Sequence, residues 1–218
     1  MSRPPAPNAV RRPTENRTTG HPKVSDLYAE AMSRFDEVYT RARGSGLREP
    51  NQMNLATVGA DGRPSSRVVL LKEADERGFV FYTNLQSRKG DEIRAKRFAA
   101  LCLYWEAIYE QIRIEGVVEE VSATESDAYF ASRDRTSQLG AWASHQSRPL
   151  ASRVELEASL ASVRERYEGQ SVPRPSHWGG YRLIPDRIEF WVGREFRLHD
   201  RTLYTKTEQG WQKSLLNP

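Results

Sequence analysis

Residues 67–83 read RVVLLKEADERGFVFYT, two apolar runs joined by a short polar connection. The runs, 67–72 and 78–83, are dominated by the β-branched, aliphatic and aromatic side chains that favour strands. Because no helix intervenes between them, both runs are expected to lie in an antiparallel sheet rather than in a parallel βαβ unit.

Further runs of the same composition lie on both sides of this stretch, separated by turn signals such as Asp61-Gly62. Strands are predicted at 53–58, 99–105 and 111–121, and near 180–183, 187–192 and 197–205. Many short strands with few helices between them predict an antiparallel sheet or barrel.

Helices are predicted around this barrel. The first has Ser25 placed as its cap and Gly44 to Gly46 as its end, and its apolar face consists of Tyr28, Met32, Phe35 and Tyr39. Further helices are expected from Ser87, from Thr124 to about Ser144, and from Ser152 to Gly169. The predicted fold class is therefore α+β, a small antiparallel barrel with peripheral helices.

The chain has 218 residues, of which 38% are hydrophobic and 28% charged, as expected for one domain of ordinary size. Residues 1–23 are rich in proline and arginine, and they are predicted to form a flexible basic tail before a folded body at 24–218. The alternative is a lid that becomes ordered over a ligand. This tail holds five basic groups and one acidic group, so it carries the whole net charge of +4. A neutral body argues against nucleic-acid binding and favours small anions as ligands.

Cys102 is the single cysteine, which excludes an intramolecular disulfide and a thiolate-cluster metal site. No metal is expected, because the four histidines show no metal-site spacing with carboxylates or with the cysteine. The sequence has no secretory leader core and no apolar run long enough to span a membrane. A cytoplasmic location with no membrane partner is therefore expected.

Tyr129, Arg133 and Ser137 are spaced four apart, so they would share one face of a continuous helix. A phenol, a guanidinium and a hydroxyl together offer donors for one phosphate. The alternative is an exposed face on which the arginine is only solvated.

Other basic residues cluster near the strands. Arg88 and Lys89 follow Ser87 at a predicted helix start, where backbone N–H groups favour an anion, although a capped surface helix is the alternative. Arg67 and Lys72 are five residues apart on one strand and are expected on opposite faces, so one strand would contact two ligands. Ordinary exposure of both at a sheet rim is the alternative.

Arg197, His199 and Arg201 alternate, so in a strand they would point the same way. Grouped cations repel one another unless an anionic or electron-rich group lies among them. His199 is a candidate to act on a substrate proton or to donate a hydrogen bond, although a structural role is the alternative.

Several of these residues occur within longer motifs. The motifs are RVVLLK at 67–72, FVFYTN at 79–84 followed by Ser87-Arg88-Lys89, SQLGAWAS at 137–144 followed by Gln146-Ser147, WGG at 178–180, EFW at 189–191 and RLHDR at 197–201. Together they resemble the pyridoxine (pyridoxamine) 5'-phosphate oxidase family over roughly residues 53–218. The resemblance implies an FMN-binding split β-barrel with Greek-key-like connections. It also implies a homodimer with FMN sites at the interface.

The resemblance implies site residues one by one. In one subunit, FMN would be held by Arg67, Val68, Val69, Leu70, Lys72, Tyr82, Thr83, Arg88, Lys89 and Gln111. The partner subunit would close the FMN site with Gln146, Ser147, Trp191 and Arg201. The substrate phosphate would be bound by Lys72, Tyr129, Arg133 and Ser137, and the catalytic residues facing the substrate ring would be Arg197 and His199.

The implied reaction is oxidation of pyridoxine or pyridoxamine 5'-phosphate to pyridoxal 5'-phosphate, with molecular oxygen as acceptor and hydrogen peroxide as product. Two alternatives stay open: a related flavin oxidase acting on another aromatic substrate such as a phenazine precursor, and a non-catalytic flavin-binding module. Lys72, Tyr129, Arg133 and Ser137 argue against the phenazine alternative, because a substrate without phosphate would not need them.

Overall fold

The structure is a computed structural model that describes residues 26–218. The tail predicted at 1–23 and the predicted Ser25 cap lie outside these residues. The described helices are α1 (Asp26–Gly44), α2 (Arg88–Lys96), α3 (Ala123–Ser132), α4 (Arg135–Ala143) and α5 (Arg153–Arg166). The strands are β1 (Gln52–Val58), β2 (Pro64–Leu70), β3 (Glu73–Asp75), β4 (Gly78–Asn84), β5 (Phe98–Trp105), β6 (Glu110–Glu120), β7 (Trp178–Val192), β8 (Asp200–Thr207) and β9 (Gly210–Leu216).

The nine strands of residues 26–218 belong to one antiparallel sheet, in the order β2-β1-β5-β6-β7-β4-β3, with β8 paired to β7 and β9 to β8. The two ends of the seven-strand path, β2 and β3, are separated in the chain only by Leu71 and Lys72. Leu71 N donates to Asn51 O at 2.8 Å and Lys72 N donates to Val80 O at 2.8 Å. A link this short forces the sheet to curl back on itself, which confirms the predicted antiparallel barrel.

The strands predicted at 180–183 and 187–192 are one strand, β7. Its first part pairs with β4 and its last part with β8, while β6 runs along both. The register with β6 shifts at Glu115/Gly116, because Pro185 pairs with Gly116 and Arg187 with Glu115, which leaves Asp186 as an extra residue. The bulge bends the strand without ending it.

Large apolar side chains fill the barrel interior and alternate along the strands. Leu55, Leu101, Ile114 and Ile188 are all buried there. The predicted face of α1 packs onto this core, and the Phe35 ring meets the Phe79 ring edge-on with centroids 4.9 Å apart. Helix α1 is therefore an amphipathic packing helix, as its spacing predicts.

A second, smaller cluster lies under α3, α4 and α5. Its buried members are Phe130, Leu139, Tyr167, Val172 and Trp178. None of the helices in residues 26–218 is long and apolar enough to cross a bilayer.

The helical segment predicted from Thr124 to about Ser144 consists of two helices, α3 and α4, rather than one. Arg133 is extended, with φ −73° and ψ 151°, and the Asp134 carboxylate accepts from Ser137 N at 2.9 Å as the N-cap of α4. The aspartate side chain binds the backbone N–H groups of a new helix start, and this capping competes with continuation of α3. The helix therefore breaks there.

Candidate functional site

The first group of candidate residues forms what we call the basic pocket, namely Arg67, Arg88, Lys89 and Glu92. Arg67 on β2 donates to Leu55 O at 3.3 Å and to Glu92 Oε2 at 3.1 Å, and it also contacts Thr57 and Ser65. Arg88 Nε donates to Glu92 Oε1 at 2.8 Å from the first turn of α2, which begins directly after Ser87 as predicted. Arg67 and Arg88 are thus held by one carboxylate.

Lys89 completes the basic pocket. Its side chain is 7% exposed. Lys89 Nζ donates to Gln146 Oε1 at 2.8 Å, Thr83 Oγ1 at 3.0 Å and Ser87 Oγ at 3.2 Å. Burial, and to a lesser extent the charge of Arg67, lower the pKa of Lys89 to about 8, and the charge of Glu92 acts against both effects. A buried ammonium without a carboxylate ligand is a strong site for a small anion.

Gln146 contacts the basic pocket from the loop after α4. Its amide oxygen accepts from both Lys89 and Thr83 within one chain. Ser147 follows it with a left-handed φ of 68°. The assignment of Gln146 and Ser147 to the partner's side of the FMN site stays a prediction.

The remaining residues of the predicted cofactor set lie along the strands near the basic pocket. Val68 on β2 is 61% exposed and points outward, whereas Val69 packs against the core and Leu70 is half-buried. These positions follow from the alternation of β2.

The second group forms what we call the aromatic pocket, namely Lys72, Tyr82, Tyr129, Arg133 and Trp178. The Tyr82 and Tyr129 rings stack with centroids 4.0 Å apart, and Trp178 stacks on Tyr82 at 5.4 Å. Lys72 Nζ lies 5.7 Å from the Tyr129 centroid. The structure therefore brings Lys72, Tyr129 and Arg133 together although the helix carrying two of them is broken.

Arg133 is unusual within this pocket. Its Nη1 is buried and has no hydrogen-bond partner among residues 26–218, and burial lowers the pKa of its guanidinium. A buried N–H donor without an acceptor destabilises the folded protein unless a ligand accepts its hydrogen bond. The positive charge of the guanidinium favours an anionic ligand. Ser137 lies nearby in sequence, in the first turn of α4. The aromatic pocket is therefore suited to an anionic group attached to a flat ring.

Arg67 and Lys72 were expected to contact different ligands, and the structure places them in the basic and aromatic pockets respectively. Lys72 lies just beyond the end of β2, in the link to β3. The two pockets are thus connected by β2 and its two-residue link to β3.

A third group lies at the other end of β7. Gln111 on β6 is in register with Trp191, and Trp191 is in register with Arg201 on β8, so the three side chains form a row on one face of the sheet. Within residues 26–218 no hydrogen bond joins this row to the basic pocket. Arg201 Nε instead donates to Glu189 Oε1 at 2.8 Å.

The predicted strand at 197–205 is wrong at its start, because β8 begins at Asp200. Phe196 and Arg197 have left-handed φ values of 54° and 61° in a turn, so Arg197, His199 and Arg201 do not alternate along one strand. Arg197 is exposed in this turn. The grouping of three cations inferred from the spacing does not occur in this form.

His199 packs on Trp191, with ring centroids 4.6 Å apart. Its Nδ1 accepts from Arg194 N at 3.1 Å. This contact assigns the proton of a neutral ring to Nε2, which is then a donor. The Tyr109 ring packs edge-on against the Trp191 ring, with centroids 5.4 Å apart.

Sequence reasoning missed three residues that the structure places in these groups. Glu92 had a usable signal, since it follows Arg88 by four residues on a helix. Trp178 occurs in the WGG motif, but the motif alone assigns it no contact. No sequence pattern indicates Tyr109, because its contact with Trp191 depends on the pairing of β6 with β7.

Comparison with known proteins gives a direct result. Residues 40–167 match the family described as Pyridoxamine 5'-phosphate oxidase, and residues 178–218 match the Pyridoxine 5'-phosphate oxidase C-terminal dimerisation region. The chain belongs to the pyridoxamine 5'-phosphate oxidase family. The second matched region of this family member contains β7, β8 and β9, and therefore Trp191, His199 and Arg201.

Two curated relatives carry the same name. This chain is 58% identical over 189 residues to Pyridoxine/pyridoxamine 5'-phosphate oxidase of Myxococcus xanthus (strain DK1622), covering 87% of this chain and 92% of that protein. It is 54% identical over 197 residues to the protein of the same name from Burkholderia cenocepacia (strain HI2424), covering 89% and 92%. The names and the family match indicate an oxidoreductase of this type.

Solved structures agree on the fold. PhzG from Burkholderia lata 383, in complex with tetrahydrophenazine-1-carboxylic acid, superposes with a TM-score of 0.83 at 34% identity, covering 92% of this chain and 98% of that one. A pyridoxamine 5'-phosphate oxidase-related, FMN binding protein from Nostoc punctiforme PCC 73102 gives a TM-score of 0.68 at 21% identity, covering 85% and 96%, and shows the shared fold alone. The predicted split barrel is confirmed.

Proposed function

We propose that this protein is an FMN-dependent oxidase that converts pyridoxine or pyridoxamine 5'-phosphate to pyridoxal 5'-phosphate, with molecular oxygen as acceptor and hydrogen peroxide as product. The observation that carries the proposal is the unpaired, buried Nη1 of Arg133 beside stacked aromatic rings. Such a donor fits the phosphate of an aromatic substrate. Tyr129, Lys72 and Ser137 are the other groups proposed for this phosphate.

The basic pocket fits the phosphate of FMN. Lys89 is buried without a carboxylate ligand, and Arg88 uses only its Nε in the part of the chain that the structure describes, which leaves both Nη groups as donors. When bound, FMN supplies the electron acceptor for the oxidation. Arg67, Lys89 and Thr83 are proposed to hold its phosphate end. Val68, Val69, Leu70, Lys72 and Tyr82 are proposed to lie along the rest of the cofactor.

The role of the protein in this reaction is alignment. Binding of the remote substrate phosphate by Arg133 fixes the position of the ring, so that binding energy is used to orient the reacting atoms. Arg197 and His199 are proposed to face the substrate ring, with His199 Nε2 as a hydrogen-bond donor to it.

A homodimer follows from the distribution of these groups. Gln111, Trp191 and Arg201 form a row at the far end of β7 from the contact between Thr83 and Lys89. Trp191 and Arg201 also lie in the matched dimerisation region. We propose that a second copy of the chain brings its Trp191 and Arg201 to this protomer's FMN, and the exposed apolar side chains of Val68, Phe98 and Tyr104 support such an interface.

A second candidate is oxidation of a reduced phenazine acid, because the structure of PhzG shares 34% of its residues with this chain. The relatives at 54–58% identity carry the vitamin B6 name instead. A phenazine acid also has no phosphate to pair with Arg133. The phosphorylated vitamers are therefore the better-supported substrates.

The test is anaerobic reduction of the purified, FMN-loaded protein. Pyridoxamine 5'-phosphate is expected to bleach the visible flavin absorbance, and readmitted air is expected to restore it. Unphosphorylated pyridoxamine serves as the matched control and is expected to bleach it far more slowly at the same concentration. Bleaching by tetrahydrophenazine-1-carboxylic acid alone would favour the second candidate, and failure of the protein to bind FMN would reject both.

A further inference from the structure

Glu92 places a carboxylate inside the basic pocket. It lies on α2, four residues after Arg88, and its side chain is 7% exposed. Its Oε1 accepts from Arg88 Nε at 2.8 Å, and its Oε2 accepts from Ser65 Oγ at 2.6 Å and Arg67 Nη2 at 3.1 Å. Thr57 donates to the same oxygen. Donors from β1, β2 and α2 thus converge on one carboxylate.

A buried acid in an anion pocket requires a physical reason, since it repels the ligand. Burial by itself would raise the pKa of Glu92, but hydrogen bonds from Ser65, Thr57, Arg88 and Arg67 lower it to about 2. The group is therefore charged at every pH at which the protein would work. The negative charge of Glu92 therefore contributes to the net charge of the basic pocket.

The charge balance shows what this carboxylate does. Arg67, Arg88 and Lys89 bring three positive charges close together, and Glu92 offsets one of them. The remaining two match a phosphate monoester, which carries about −1.5 to −2 at neutral pH. Arg67 is also held by Leu55 O and Glu92, so its guanidinium is fixed before any ligand binds.

We propose that Glu92 is a positioning residue for the phosphate of FMN, which fixes Arg67 and Arg88 and balances the positive charge around Lys89. The inference rests on the proposed function, in which the basic pocket holds that phosphate. The charged groups facing Lys89 are Arg67 from β2 and Glu92 from its own helix, and the remaining contacts are the uncharged Thr83, Ser87 and Gln146.

The experiment is titration of the flavin-free protein with FMN at several pH values from neutral to alkaline. Binding is monitored by the quenching of flavin fluorescence. Wild-type affinity is expected to fall as the pH rises past the pKa of Lys89, because the ammonium loses its charge. Glu92→Gln removes the negative charge that supports protonated Lys89, so the fall is expected at lower pH. At neutral pH this variant is expected to bind FMN about tenfold more weakly or worse, the scale of a lost charged hydrogen bond.

The control is Glu157→Gln, which removes an exposed carboxylate of α5. Glu157 pairs with Arg153 away from the basic pocket, so this variant is expected to keep the wild-type affinity and pH midpoint. An unchanged midpoint in folded Glu92→Gln, or FMN binding tighter than in the wild type, would overturn the proposal. A wild-type protein that binds no FMN would instead reject the proposed function.

Glu92→Asp covers the case in which Glu92→Gln fails to fold. It keeps the charge but shortens the side chain, so it is expected to weaken FMN binding while keeping the wild-type pH midpoint. Wild-type affinity in this variant would show that the reach of the carboxylate to Arg67 and Arg88 is irrelevant, and a shifted midpoint would show that its charge does not set the protonation of Lys89. Either result would contradict the positioning role.

Discussion

The guanidinium carbon of Arg133 lies 4.7 Å from the centroid of the Trp178 ring. An aromatic face holds a guanidinium without neutralising its charge. The neighbouring carboxylate, Asp134, accepts from Ser137 N and Thr136 Oγ1 as the cap of α4. Arg133 therefore keeps a free charge for a ligand, unlike Arg67, which is paired with Glu92.

Replacement of Arg133 by methionine tests this difference. Arg133→Met is expected to raise the KM for pyridoxamine 5'-phosphate by about 10- to 100-fold, because a charged hydrogen bond to the substrate phosphate is lost. FMN occupancy is expected to be unchanged, since Arg133 is not in the basic pocket. Steady-state kinetics with flavin content measured in parallel checks both expectations.

The control for this variant is Arg153→Met on the exposed side of α5, where Arg153 pairs with Glu157. It is expected to leave KM unchanged. A wild-type KM in Arg133→Met would remove the aromatic pocket as the substrate-phosphate site.

Arg197 gives the opposite kinetic signature. Arg197→Ala is expected to retain FMN but to lower kcat, and kcat/KM with it, by about 100-fold or more with little change in KM, the scale of an interaction that aligns the reacting ring. The measurement is single-turnover flavin reduction under anaerobic conditions. Lys206→Ala, at an exposed position on β8, is the control and is expected to react normally. Normal turnover in Arg197→Ala would contradict its assignment to the substrate ring.

Much of the sheet was predictable because strand composition is a local property. The runs at 67–72 and 78–83 became β2 with its link and β4, and the apolar face of α1 packs as its spacing predicts. The anion clusters were also found, because lysine and arginine at strand ends and helix starts are visible in the sequence. The short strand β3 and the final strand β9 were missed, since neither has a strong apolar pattern.

The errors at the site have physical causes that involve competition or long-range contacts. The helix break at Arg133 depends on capping by Asp134, which competes with helix continuation. The turn before β8 depends on left-handed backbone at Phe196 and Arg197, which their side chains do not predict. The joining of Gln146 to Lys89 spans 57 residues and is invisible to local patterns.

Gly116 offers a test of the fold at the bulge of β6 and β7. A Cβ at this position would lie 2.0 Å from Ile184 O, a backbone atom that cannot move away without disturbing the pairing. Gly116→Ala is expected to lower the free energy of unfolding by about 1–3 kcal/mol or more, as overpacking does. Gly44→Ala is the control, because nothing lies within 4 Å of its added Cβ. Urea unfolding of both variants provides the comparison, and equal stability would show that the strands are not this close.

The buried ammonium of Lys89 is expected to favour FMN binding but to lower the free energy of unfolding of the flavin-free protein. Its pKa is about 8 in the folded protein without FMN, below the ordinary value of 10.5, so the unfolded chain binds more protons between these two pH values. The folded state is therefore penalised by this group below about pH 8, and the penalty is relieved as the pH rises towards 10.5. The contribution is on the order of 3 kcal/mol.

Lys89→Met is accordingly expected to stabilise the flavin-free protein at pH 7 and to flatten the rise in stability between pH 8 and pH 10, while it abolishes tight FMN binding. Urea unfolding of the flavin-free wild type and variant at several pH values measures the first effect, and FMN titration measures the second. Lys96→Met, at the exposed end of α2, is the control and is expected to change neither. The prediction would be contradicted by a variant that is less stable than the wild type at pH 7 and whose stability depends on pH as in the wild type. That result would mean that the neighbours of the Lys89 ammonium already stabilise its charge without a phosphate.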